Sequence, residues 1–371
     1  SKFPAVRATD GRARYARRRP ALAGSLAMNL FRRTKSPIPY DMFSLARSAE
    51  EAKRYAKCER IYHRGQELAW DGKEILTMLL AKHGGVQIEP EKREALKQLF
   101  AIILWGELAA WKISAQLADR LTPLEAKMAA TSQAHDEARH FYTMYDYLTE
   151  LGYMPERLDP APEALLRHVL ETDDVAAKLL GMQLMVETIA LAVFQEVREK
   201  RLEPVLADLM AYYEKDEARH VGLGMQHLPE LMKRMSPAAV TRLFLFQAKL
   251  IAYALWENKM LEPQFRVLGI DTRGIIERTK AKQALAMRVA LEALGVDVDN
   301  DRNPIFQIIN AAIELVFPTD DTRGDVRAQV RAALQAFRAT MVPPSDSLSV
   351  HASHTIKTAR GEFVGAERAD A

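Results

Sequence analysis

Apolar residues recur at spacings of three and four along most of the chain, which predicts an all-α protein. Proline and glycine divide that pattern into segments. One or two amphipathic helices are expected over 44–82, ending at Gly84-Gly85, and a long helix over 91–121. A helix from about 124 stops near Gly152, and residues 155–170, with Pro155, Pro160 and Pro162, form a crossover. Helices then follow over 173–200, from Pro204 to near Pro229, and from Ser236-Pro237 to about Leu261, with further patterns over 271–294, 304–316 and 323–340. Thr122-Pro123-Leu124-Glu125 reads as an N-cap, a proline at the first helical position and a capping-box glutamate.

Two of these helices are apolar except for one acid each. The stretch Leu99–Trp111 holds Glu107, and Leu179–Phe194 holds Glu187. The helix after each carries the pentapeptide Asp-Glu-Ala-Arg-His, at 136–140 and again at 216–220, so each single Glu lies 30 residues before the Glu of the pentapeptide that follows it. Glu and His three apart share a helix face, so Glu137 with His140, and Glu217 with His220, each present a carboxylate and an imidazole together. A five-residue repeat with a matched upstream acid on an apolar helix is a duplicated half-site.

Four carboxylates meeting in an apolar core are costly unless cations offset them. Two divalent ions balance four Glu, and two neutral His complete the set. One Glu from each of two helices plus Glu-x-x-His from each of the other two is the known ligand pattern of dinuclear carboxylate sites in helix bundles. Glu107, Glu137, His140, Glu187, Glu217 and His220 are therefore candidate metal ligands. Mixed carboxylate and imidazole donors suit iron or manganese.

Each pentapeptide also places Asp136 or Asp216 before the Glu, and Arg139 or Arg219 before the His. The repetition suggests an Asp accepting the free ring N–H of a ligand His and held in turn by a guanidinium; surface ion pairs three apart are the plainer alternative. Gln133 and Tyr213 lie one turn before the two Glu-x-x-His units and Gln183 one turn before Glu187, so they are candidate catalytic residues. Glu214 is a candidate extra carboxylate, and Met182, Met185, Trp105 and Trp111 fit bundle core better than a substrate box.

Composition adds bounds. With 371 residues and 48% hydrophobic content the chain can build a substantial core. The single Cys58 excludes an internal disulfide and a thiolate-bound metal cluster, and a reducing, cytoplasmic location is expected. No run of 18 uncharged apolar residues occurs, so no membrane-spanning segment is expected. The net charge of +3 hides a basic arm: residues 1–35 hold ten basic side chains against Asp10 alone. A solvated or partner-draped arm is the plainer reading, ahead of contact with a membrane surface or nucleic acid. Residues 36–340 are read as the helical domain, with its metal-binding core over about 93–260, and 341–371 as a tail; His351 and His354 in it are read as solvated.

The duplicated Asp-Glu-x-Arg-His motif resembles the ferritin-like O₂-activating di-iron enzymes, over about residues 93–260. It is closest to the hydroxylase subunits of bacterial multicomponent monooxygenases, and is similar to acyl-carrier-protein desaturases and to the aerobic cyclase of chlorophyll synthesis. The resemblance implies a ferritin-like four-helix bundle with additional flanking helices, two iron ions on the six ligands, and an O₂-dependent monooxygenase, hydroxylase or desaturase acting on a small-molecule or carrier-bound organic, apolar substrate. Manganese or a mixed Mn/Fe pair remains open. A homodimer is expected, and, with no flavin- or nicotinamide-binding glycine pattern, so is a separate electron donor, a reductase or ferredoxin. Leu191, Met144 and Tyr213 depart from the residues that mark monooxygenases, ribonucleotide reductase small subunits and aminobenzoate N-oxygenases respectively. A ferroxidase, metal-storage or peroxide-scavenging protein, and a ribonucleotide-reductase-like radical or ligand-binding oxidase, are the alternatives.

Overall fold

The structure is a computed structural model that describes residues 49–292, 295 and 304–338. The expected basic arm at 1–35, the tail at 341–371 and its His351 and His354 lie outside the described residues. Helices account for all the regular structure among the described residues. They are α1 (Ala49–Glu67), α2 (Gly72–His83), α3 (Pro90–Arg120), α4 (Leu124–Glu150), α5 (Pro160–Glu171), α6 (Val175–Leu179), α7 (Glu187–Glu199), α8 (Pro204–Met232), α9 (Pro237–Leu268), α10 (Thr272–Glu292), α11 (Pro304–Val316) and α12 (Val326–Arg338). A π-helical segment, Leu180–Val186, joins α6 to α7.

Two helical hairpins make the bundle. The first is α3 packed on α4, joined by residues 121–123; the second is the α6–π–α7 rod packed on α8, joined by residues 200–203. Short links force antiparallel neighbours, and the longer crossover between hairpins carries α5. Helices α1 and α2 cover α4 and α8, while α9 lies over α3 and α5 and α10 over α7 and α8. The core has two parts. One gathers Ile113, Leu117, Ala126, Leu180, Met182 and Val221, the other Leu96, Leu99, Tyr147, Phe194, Leu206 and Tyr213. Glu107, Glu137, His140, Glu187, Glu217 and His220 belong to neither and form a polar layer in the same four helices.

Local chemistry sets the starts of the two ligand-bearing helices differently. Glu203 caps α8: it is fully buried, and its carboxylate accepts from the Leu206 N–H at 2.8 Å, the Gln87 N–H at 3.0 Å and the Tyr147 hydroxyl at 3.0 Å. The capping box expected at Thr122–Glu125 does not form. Pro123 is itself the cap residue, in extended conformation with ψ 134°, so Thr122 falls before the cap and Glu125 at the second rather than the third helical position. Helix α8 also runs through Pro229 to Met232, past its expected end.

The segment expected as one regular helix over 173–200 contains the π turn, in which the Glu187 N–H bonds to the Met182 carbonyl five residues back. Thr188 supports it by donating its hydroxyl to the Leu184 and Met185 carbonyls, both at 2.9 Å. Two glycines let neighbours close on this segment. A Cβ on Gly224 of α8 would lie 2.7 Å from the Gln183 Cβ and 2.9 Å from a Leu184 methyl, and one on Gly181 would lie 2.8 Å from a Val169 methyl.

Two helical stretches, Val175–Glu199 and Pro237–Leu268, are long and apolar enough to cross a membrane by length and hydropathy alone, contrary to the expectation above, because one or two charges interrupt each without lowering its mean hydropathy far. The first is 83% buried over its most apolar window and serves as the core of the bundle. The second, α9, exposes Leu245, Trp256 and Met260.

The Gly224 contact generates a prediction. Gly224→Ala gains helix propensity yet forces a methyl into backbone-near atoms of the π segment, so the variant should lose about 1–3 kcal/mol of stability, read as a lower melting temperature. Gly106→Ala, whose Cβ would meet nothing within 4 Å, should gain slightly.

Candidate metal centre

Each bundle helix contributes its part from one face: Glu107 from α3, Glu137 and His140 from α4, Glu187 at the first position of α7, and Glu217 and His220 from α8. All six are buried. Their donor atoms form two overlapping groups, Glu107 with Glu137, His140 and Glu217, and Glu187 with Glu137, Glu217 and His220, with the atoms of each group within 4.8 Å of one another. Glu137 and Glu217 are common to both. Each group adds one further Glu and one His to this shared pair. The His140 Nδ1 faces oxygens of Glu107 at 3.4 Å, Glu137 at 3.6 Å and Glu217 at 3.1 Å. The His220 Nδ1 faces Glu137 at 3.1 Å, Glu187 at 3.5 Å and Glu217 at 2.9 Å.

Behind the imidazoles the two copies of the pentapeptide cross over. Asp216 of the second copy sits 3.0 Å from Nε2 of His140 in the first, and Asp136 of the first sits 3.3 Å from Nε2 of His220 in the second. Arg139 donates to Asp136 at 2.6 Å and to Asp216 at 2.8 Å, and Arg219 likewise donates to both aspartates. The result is a buried, charge-neutral ring of two Asp and two Arg that locks α4 to α8. It contains the ion pairs three apart weighed as the plainer alternative and the aspartate–histidine contacts as well. An Asp at each Nε2 keeps that ring proton there, so that whenever the imidazole is neutral its Nδ1 lone pair faces the glutamates.

The donor set fits two divalent metals. The His140 Nδ1 and one oxygen of Glu137 are buried with no hydrogen-bond partner, although carboxylate oxygens stand close by. The other imidazole does bond within the cluster, His220 Nδ1 to Glu217 at 2.9 Å, so the two atoms left over are the ones a shared cation would satisfy. Six donor residues of nitrogen and oxygen type, with no sulfur, match iron or manganese chemistry.

Protonation of the protein groups alone follows the same logic. Burial is the largest influence on Glu107 and on Glu187, and with their carboxylate neighbours it pushes both well above the ordinary range. Burial acts the same way on Glu137 and Glu217, but His220 and His140 outweigh it and hold both below that range. For the two imidazoles burial favours the neutral form, and the surrounding carboxylates overcome it, so both lie well above the usual value. Burial would also raise Asp136 and Asp216, and the His and Arg contacts reverse this, bringing Asp216 to about 2. The consistent state has Glu107 and Glu187 protonated and both imidazoles charged. Four carboxylates then balance two imidazoliums and two guanidiniums. Two divalent ions restore the same neutrality when those four protons leave.

The other candidates are placed as follows. Gln133 donates its amide to Glu137 at 3.0 Å and to Glu187 at 2.6 Å, and Gln183 donates to Gln133 at 2.9 Å, one step further from the ligands. The Tyr213 ring stacks on His140 at 4.1 Å, but its hydroxyl donates to the His140 carbonyl at 2.6 Å and so turns away from the cluster. Glu214 joins neither donor group: it lies 3.1 Å from Arg198 of α7, with its carboxyl pushed up to about 7 by burial. Met182 and Met185 are core, and Trp111 is exposed. Sequence reasoning missed Trp70, in the loop between α1 and α2. Its indole N–H donates to Asp216 at 2.8 Å, its ring stacks on His140 at 6.0 Å, and the Arg139 guanidinium lies 4.7 Å above it. A lone loop tryptophan gives no periodic signal.

No protein-family model matches the chain, and no curated protein matches it in sequence. Among solved structures it is similar to a point mutant of an R2-like ligand-binding oxidase with an aerobically reconstituted Mn/Fe cofactor, over 64% of this chain and 91% of that one, at 16% identity and a TM-score of 0.42. At that distance the chemistry rests on the residues themselves. The fold and site are those of an all-helical bundle of two antiparallel hairpins with flanking helices and a buried carboxylate–histidine cluster able to hold two metal ions.

Two outcomes follow from this geometry. Asp216→Asn frees the His140 ring and should weaken metal binding about 10–100-fold in chelator competition, while Glu214→Gln should leave it unchanged. In metal-free protein, Glu107, Glu187, His140 and His220 have folded values above their unfolded ones. Their contribution to stability is therefore full at low pH and is lost as pH rises through the raised values. Melting temperature of the metal-free protein should fall as pH rises above the ordinary imidazole value of 6.5, and the gain on adding metal should grow in the same direction.

Proposed function

We propose that the protein is an O₂-dependent di-metal oxidase, with iron as the working metal, that binds and oxidises an apolar organic ligand. The observation that carries this reading is an apolar cleft between α3, α5, α7 and α9 that reaches the cluster. Leu99, Ile102, Ile103, Leu166 and Val193 make its walls apolar, and both Glu107 and Glu187 line it. A store or ferroxidase needs no such cleft beside its metals.

The bound metals would supply electrons for the reduction of O₂. The chain's own part is to hold the centre and shape what reaches it. Glu107, Glu137, His140, Glu187, Glu217 and His220 hold the two metals, and the Asp–Arg ring fixes the imidazoles. Gln133 keeps Glu137 and Glu187 in place through its amide. The apolar walls exclude water from the oxidised position, so that the C–H bond nearest Glu107 and Glu187 is the one attacked. The finer reading is a hydroxylation or desaturation of that ligand, with electrons from a separate reductase or ferredoxin. A stable tyrosyl radical does not fit, because Met144 stands one turn after His140 and the Tyr213 hydroxyl is taken by a backbone carbonyl.

Iron-loaded protein should carry two irons per chain and consume O₂ when reduced, and Glu107→Ala should lose metal. Metal analysis giving one or none per chain, unchanged by that substitution, would sink the reading. Gly106→Leu fills the cleft from a position where a Cβ meets nothing within 4 Å. It should keep both irons and abolish product formed from an added ligand, which mass spectrometry of the products would show.

A further inference from the structure

The cleft has a second acidic feature apart from the metal centre. Besides Glu107 and Glu187, the polar side chains lining it are Glu257 and Asn258 of α9. Glu257 is partly buried, and among the described residues no cation or hydrogen-bond donor reaches it. Burial and then the charge of Asp159 push its carboxyl up to about 7. Asp159 is exposed at the start of α5, whose Pro162, Leu165 and Leu166 form another wall of the same cleft. Asn258 spends its amide N–H on the Ala254 carbonyl at 2.8 Å, and among the described residues its side-chain oxygen accepts no hydrogen bond.

An acid set against apolar walls, with only a like charge for company, is costly, and packing alone favours Leu or Met there. Every unspent polar group on this wall is an acceptor. The complement is a head group that donates several hydrogen bonds and carries positive charge. An ammonium has three donors and meets both conditions. A carboxylate head would add a third negative charge where no described cation offsets it, and an alcohol has one donor for several acceptors.

We propose that the cleft binds an amphipathic amine, its ammonium held by Glu257 and Asn258 near Asp159, and its apolar body laid over Ile102, Ile103, Leu166 and Val193 toward Glu107 and Glu187. This rests on the reading of the protein as an oxidase with its ligand in the cleft, and it names the class of that ligand. The position oxidised is then in the apolar body, remote from the nitrogen.

Calorimetric titration of the full-length protein as purified, with metal content measured on the same sample, tests it. The probes are decylamine and decanoate, each below its micelle concentration, and decan-1-ol below its solubility limit. Decylamine should bind at least about tenfold more tightly than decanoate. Glu257→Gln, close in shape to the original, should erase that preference, and Glu257→Lys should invert it, with thermal melts confirming that each variant folds. Equal affinities, binding of no probe, or an amine preference that survives Glu257→Gln would each overturn the assignment. Two metals per chain without an amine preference defeats this inference alone. An amine preference in protein that binds no metal defeats the oxidase reading and leaves the head-group site standing.

Discussion

Four glutamates and two histidines lie side by side between two apolar core clusters, and everything else in the bundle has to make that tolerable. Each large apolar side chain buried around them returns about 1.5–3 kcal/mol. Each unpaired ion taken from water costs several kcal/mol even after relaxation. Packing alone therefore does not carry such a layer. Charge neutrality does, and the chain has two ways to reach it: four protons on the side chains, or two divalent cations in their place. The exchange makes the centre a metal site and ties metal affinity to pH.

The supports are arranged around that exchange. The ring of Asp136, Arg139, Asp216 and Arg219 is neutral in both states, so it can stay fixed while the groups in front of it change charge. Because each Asp serves the other copy's histidine, neither half of the repeat makes a complete site. Metal binding is thereby coupled to docking of one hairpin on the other. The π turn before Glu187, pinned by Thr188 and closed on by Gly181 and Gly224, sets the register at which Gln183 and Glu187 enter this layer.

Much of the bundle was legible in the sequence because its signals are local. Glu and His three apart on a helix, an acid in an apolar run and Pro-marked links are fixed by helical geometry within one turn, and they located α3, α4, α7 and α8. What was not legible depends on contacts between elements. The π turn follows from how closely Gly224 lets α8 approach, and the crossing of Asp136 and Asp216 follows from which helix faces which. Trp70 reaches Asp216 from a loop 146 residues away. The cap expected at Thr122 is missed for a local reason: the helix starts one position later, and one position moves a side chain about 100° around a helix. Glu257 shares α9 with Glu262 and four basic residues, so nothing in the sequence alone set it apart.

The central claim is that two metals replace protons on this set of side chains. Anaerobic titration of metal-free protein with Fe(II) near neutral pH, following bound metal and released protons together, tests it most directly. The account predicts saturation at two ions per chain accompanied by release of protons from Glu107, Glu187, His140 and His220. Saturation at one ion, or binding of two ions with no proton release, would contradict it.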